Sequence, residues 1–153
     1  MTPLAALDSR AMADTRPPTT RRHSRIVALQ VLYETDMAGR DMAGVLERRI
    51  EEDSLSTEVA GFARTLVNGV LENREEIDKI VARFAPSWPI HQMAVVDRNI
   101  LRVAIFEIIL GGETPPKVAI NEAVELAKVF ASDSSPKFVN GVLGSVMETV
   151  SAG

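Results

Sequence analysis

The stretch MAVVDRNILRVAIFEIIL, residues 93–110, is apolar nearly all round a helical wheel, punctuated by Asp97, Arg98 and Arg102. A helix of that kind has no face suited to water and belongs in the middle of a bundle, covered by other helices. No apolar run in the chain reaches the roughly 18–20 residues needed to cross a bilayer. The feature therefore points to a water-soluble, all-α protein whose remaining segments act as the cover.

Those segments carry the matching pattern. A first helix is expected from about Thr20 to Met37, with Ile26, Leu29, Tyr33 and Met37 along one face and Gly39 as its stop. A short helix follows through DMAGVLERRIEE. Ser56 then caps a segment with Val59, Phe62, Ala63, Leu66, Val67, Val70 and Leu71 on one stripe. Asn73 and Glu76 have capping-box-like spacing and are expected to open a separate helix that buries Ile77, Ile80, Val81 and Phe84 and ends at Pro86. After the central helix, Gly111 and Gly112 end the run. Thr114 with Pro115 is expected to start the next helix, and Ser135 with Pro136 the last. Their buried stripes are Ala119, Ala123, Leu126, Ala127, Phe130 and Val139, Val142, Leu143, Val146, Met147. Gly141 and Gly144 lie inside the last helix, where each costs about 1 kcal/mol relative to Ala, so close approach of a helix or a ligand is expected there. The total is about seven helices in one domain over 20–150, preceded by a disordered tail over 1–19 that includes a second candidate start at Met12.

Composition bounds the chemistry. The 153 residues contain no cysteine and only two histidines, His23 and His91, which excludes disulfides and thiolate metal sites and leaves almost nothing for a histidine-based centre. No Gly-rich phosphate loop, nucleophile elbow or metal-ligand spacing is present. No catalytic residue, metal or cofactor is expected, and a reducing cytoplasmic setting fits.

Charge carries the functional signal. The chain is acidic overall, at −4, yet residues 1–25 hold five basic side chains against two acidic ones, while the remainder holds 12 against 19. Arg21, Arg22 and Arg25 fall within about a third of a helix circumference. They stand at a helix N-terminus, where the macrodipole favours acids. A cluster placed against that preference is explained by an anionic ligand, since the planar guanidinium fork suits phosphate; a solvated helix start is the plain alternative. Lys137 and Phe138 open the last helix, where a lysine beside an aromatic ring makes a platform for an unpaired base; the alternative is that Phe138 only staples the helix to its neighbour. Glu72, Glu75, Glu76 and Asp78 read as a solvated helix face. Arg98 and Arg102 are expected to pair with Glu107, Glu122 or Glu125.

Three stretches narrow the reading: RRHSRIVALQVLYETD, VVDRNILRVAIFEII, and ETPPKVAINEAVELAKVF followed a few residues on by KFVNGVLG. Together they resemble the NusB family of bacterial transcription antitermination factors, over about residues 20–148. The resemblance implies two three-helix subbundles and a non-enzymatic role: binding the single-stranded boxA element of nascent ribosomal RNA together with NusE, a ribosomal protein, within the antitermination complex of RNA polymerase. It implies RNA contacts at Arg21, Arg22, Arg25, Lys117, Lys137 and Phe138, and a face toward NusE at Tyr33 and Asp97. His23 and His91 depart from the family's pattern, His23 standing where arginine is common. Members of such a family occur as monomers and as homodimers, and both states stay open. Two other readings stay open as well: an accessory domain detached from an RNA methyltransferase system, and a helical adaptor that binds protein alone.

Overall fold

The computed structural model describes residues 19–39 and 41–152, and among these it contains six α-helices and no strand. They are α1 (Thr20–Ala38), α2 (Met42–Glu52), α3 (Thr57–Phe84), α4 (Val95–Ile105), α5 (Pro116–Phe130) and α6 (Ser135–Ala152), with a short 3-10 turn at Ile90–Gln92. The chain of α4 continues without a break into a π-helical segment, Phe106–Gly111. The expected tail lies outside the described residues except for Thr19, whose side chain caps α1 by accepting the Arg22 N–H at 3.2 Å. No helix among the described residues is long and apolar enough to cross a membrane.

The helices form two sets of three. Helices α1, α2 and α3 pack on one another, as do α4, α5 and α6, and α4 also packs against α1 and α3. That central position is the one its all-round apolarity demands: Ile100, Leu101, Val103, Ala104, Ile105 and Phe106 are all buried. One core runs through both sets, from Leu29, Leu32 and Leu66 to Leu126, Phe130 and Leu143. Packing is tight at Gly69 of α3, where a Cβ would lie 2.2 Å from the Phe106 ring, so this helical glycine is required by its neighbour.

Several local expectations give way to the structure. The expected seventh helix is absent because α3 runs through Asn73 as a kink (φ −116°, ψ 15°), the Asn73 side chain donating back to the Gly69 carbonyl at 2.8 Å instead of opening a new helix. Helix α5 starts one residue later than expected, after Pro115, and the Thr114 hydroxyl is engaged elsewhere. The Ser135 hydroxyl accepts the Ser132 N–H and donates to Asp97. Met37 and Leu71, placed on buried stripes by their spacing, are exposed. Among the described residues, and apart from chain neighbours and the local helix backbone, nothing stands within 4 Å of where a Cβ at Gly141 or Gly144 would lie, so no neighbouring helix makes a close approach there.

Arg98 and Arg102 do not reach Glu107, Glu122 or Glu125. They converge instead on Asp36, near the end of α1, at 2.8 and 3.1 Å, and Arg102 also makes a two-pronged contact with Asp78 at 2.9 and 3.1 Å. Asn99 donates to Asp36 at 3.0 Å. Asp78 is therefore an ion-pair partner between α3 and α4, whereas Glu72, Glu75 and Glu76 are exposed as expected. Burial alone would raise the Asp36 pKa, but hydrogen bonds from Arg98 and Asn99 and the charges of Arg98 and Arg102 outweigh it and hold the carboxyl at about 2. The charges on an otherwise apolar helix are thus spent on tying α1, α3 and α4 together.

Candidate nucleic-acid interface

Helix α1 brings the three arginines of the N-terminal cluster to one end of the bundle, and its first turn contains no acid of its own. The acids arrive from elsewhere in the fold. Arg21 lies 3.4 Å from Glu113, in the loop after the π-helical segment, and its guanidinium stacks over the Phe62 ring of α3 at 3.8 Å. Arg22 sets its fork against Glu122 of α5, with contacts of 2.9 and 3.1 Å. Arg25 turns inward and makes a two-pronged contact with Glu107 at 2.8 and 2.9 Å. Every arginine of the cluster therefore faces a carboxylate that lies far away in sequence.

Burial divides the three. The Arg25 and Glu107 side chains are 4% and 3% exposed, whereas Arg21 and Arg22 are 50% and 44% exposed. Thr114 donates to the same Glu107 at 2.8 Å, and Glu122 stands 3.7 Å from Arg25. A buried pair with its oxygens occupied in this way is a fastener, joining α1 to the π-helical segment. Ser24 adds to it by donating to the Val59 carbonyl at the start of α3, at 2.8 Å. As folded here, Arg25 is not on the outer surface with Arg21 and Arg22. Spacing on a helical wheel put the three on one face, but only the first two present charge to solvent.

The second cluster stands at the start of α6. Lys137 is exposed, and Phe138 is half-buried against the core. Phe138 meets the exposed Trp88 edge to face, with ring centroids 6.2 Å apart. Phe138 thus both staples α6 and shares an aromatic edge with Trp88, a residue that no sequence motif singled out. Lys117 is exposed near the start of α5. Tyr33 is half-buried on α1 and packs against the core. Asp97, at the start of α4, accepts a hydrogen bond from the Ser135 hydroxyl at 2.8 Å. Burial raises the Asp97 pKa, and that hydrogen bond offsets part of the rise.

One feature of the surface joins the two clusters. An open groove of about 720 Å³ lies along α5 and α6, and both Arg22 and Lys137 line it. Cations 115 positions apart in number therefore belong to one continuous face. Chemically, the face offers planar and point-like cations for phosphate, with an aromatic edge beyond Lys137.

The NusB family model matches residues 22–148. The transcription antitermination protein NusB of Dehalococcoides mccartyi is 46% identical over 132 residues, covering 86% of this chain and 92% of the relative. That of Chloroflexus aggregans is 47% identical over 138 residues, covering 89% and 92%. Among solved structures, T. maritima NusB superposes with a TM-score of 0.79 at 31% identity, covering 88% of this chain and 93% of that one. A chain from a crystal structure of the antitermination factors NusB and NusE in complex with double-stranded RNA superposes with a TM-score of 0.78 at 29% identity, covering 85% and 97%. The fold of two three-helix sets, the arginine-bearing first helix and these matches lead to one conclusion: this chain belongs to the NusB family.

Proposed function

We propose that this protein is a transcription antitermination factor that binds the boxA element of nascent ribosomal RNA together with NusE, in the cytoplasm, and acts by binding within the RNA polymerase antitermination complex rather than by catalysis. The observation that carries the reading is the shared groove: Arg22 and Lys137, from opposite ends of the sequence, line one surface. Arg21, Arg22, Lys117 and Lys137 supply phosphate contacts, and Phe138 supplies a ring for a base. Arg25 acts on RNA through the helix it fastens. Tyr33 and Asp97 belong to the face offered to NusE.

The similarity to a chain solved with NusE and double-stranded RNA supports NusE and RNA as the partners. The curated relatives are covered over 92% of their own length and carry the antitermination name, which favours this reading over a methyltransferase accessory domain. An unpaired strand is favoured over a duplex by the Trp88–Phe138 edge, because aromatic rings recognise bases that are free to stack. Fluorescence anisotropy with a labelled boxA strand, a scrambled strand and a boxA duplex, each with and without NusE, tests the proposal. The expected result is a ternary complex on the single boxA strand that is tighter than either protein forms alone. Absence of any complex with boxA and NusE in dilute buffer would refute it.

A further inference from the structure

The groove has walls as well as ends. Asn121 of α5 and Asn140 of α6 both line it, both are exposed, and among the described residues neither side-chain amide makes a hydrogen bond within the protein. Lys128 lies on the same wall as Asn121, paired with Glu125 at 3.2 Å. An amide presents a donor and an acceptor side by side, the arrangement that matches the edge of a base. The groove holds these two amides, on neighbouring helices, together with the apolar Val118, Val124 and Pro136 and the cations Arg22, Lys128 and Lys137, the first two of which pair with Glu122 and Glu125. Its volume of about 720 Å³ falls within the usual range for small-molecule sites, roughly 300–1,000 Å³.

We infer that the groove between α5 and α6 seats an unpaired RNA base whose edge is read by Asn121 and Asn140, while Arg22, Lys128 and Lys137 hold the phosphates on either side. The inference rests on the proposal that the ligand is RNA, and it adds sequence readout to a surface otherwise built for phosphate. A cationic rim alone binds any strand, because phosphate contacts carry no sequence information. Amides that hydrogen-bond to base edges supply the discrimination.

The test uses the full chain with NusE and two labelled strands, boxA and a scrambled strand of the same composition. Asn121→Ala and Asn140→Ala change exposed side chains without partners in the protein, and a thermal melt by circular dichroism checks that each variant folds. Each is expected to weaken boxA binding about tenfold and leave scrambled-strand binding unchanged, so the ratio between the strands collapses. If both strands weaken equally, or neither changes, while Arg22→Ala still weakens boxA, the groove reads no base although the RNA-binding role stands. If the asparagine variants instead lose NusE in the absence of RNA, the groove is a protein contact and the inference is overturned. If the unaltered protein binds no RNA at all, the functional proposal fails and this inference with it.

Discussion

Arg25 and Glu107, 82 positions apart in sequence, meet as a two-pronged ion pair with N···O distances of 2.8 and 2.9 Å, almost wholly shut off from water. Arg22, three residues earlier, holds Glu122 in a similar way at the surface. The same residue type in one short cluster is thus put to two uses, and the two can be separated by experiment.

Removing one partner of a buried pair leaves an uncompensated charge, at a cost of about 3–5 kcal/mol. Arg25→Ala is therefore expected to lower stability sharply in a urea melt, whereas Arg22→Ala should change it by less than about 1 kcal/mol. A double change, Arg25→Met with Glu107→Leu, should recover most of the lost stability, since it removes both charges. Equal, small effects of Arg22→Ala and Arg25→Ala would mean that Arg25 is not a fastener.

Phosphate must compete with Glu122 for the fork of Arg22. Glu122→Gln keeps the shape and removes the competing charge, so RNA binding should tighten about two- to fivefold, in line with the modest strength of a half-exposed pair. The gain should shrink as salt is added. Weaker binding by the variant, measured by anisotropy at low salt, would show that Glu122 helps the interface rather than competing with it.

Acid should loosen the junction of α1, α3 and α4. The Asp36 carboxyl is held at about 2 in the folded chain, below its ordinary 3.8, so its ionised form is favoured by folding. The corresponding stability, roughly 2 kcal/mol, is complete above about pH 5 and is lost as pH falls toward 2. Asp97 works in the opposite sense: burial raises its pKa, so its contribution is present at low pH and is lost as pH rises through the raised value. Asp36→Asn is expected to cost most of this stability near pH 7 and little near pH 2. A pH-independent difference between the two proteins in urea melts would contradict the ion-pair origin.

Close packing at the crossing of α3 with the π-helical segment is equally testable. A Cβ at position 69 would intrude 2.2 Å from the Phe106 ring. Gly69→Ala should therefore destabilise the protein by about 1–3 kcal/mol, despite the better helix propensity of alanine. Gly141→Ala, where no neighbouring helix among the described residues stands near, should stabilise by up to about 1 kcal/mol. Opposite signs in thermal melts are the expected outcome.

Much of this architecture is legible in residue order, because helical periodicity reports burial directly. The all-round apolarity of residues 93–110 marks the central helix, and Ser56 and Gly39 mark a start and a stop where they were expected. Spacing on a wheel fails where tertiary contact decides. Nothing local says that Arg25 finds Glu107, or that Arg98 and Arg102 turn to Asp36 and Asp78 rather than to Glu107, Glu122 or Glu125. Asn73 has the composition of a helix start, yet its amide serves equally to cap a kink within a continuing helix. The candidate site divides in the same way. The arginine cluster and Lys137–Phe138 are visible as motifs, but the groove that joins them, with Asn121, Lys128 and Asn140, exists only once α5 and α6 are packed. Trp88 carried a faint signal, as the single tryptophan in a Pro-flanked turn.

The salt dependence of boxA binding tests the central claim most directly. For a single strand, the logarithm of the binding constant falls with the logarithm of salt concentration by about 0.7 for each phosphate neutralised. With NusE present throughout, Arg22→Ala and Lys137→Ala should each weaken binding and make that slope shallower by about 0.7, as expected if the two ends of the groove grip separate phosphates. Slopes identical to that of the unaltered protein in both variants would contradict the account.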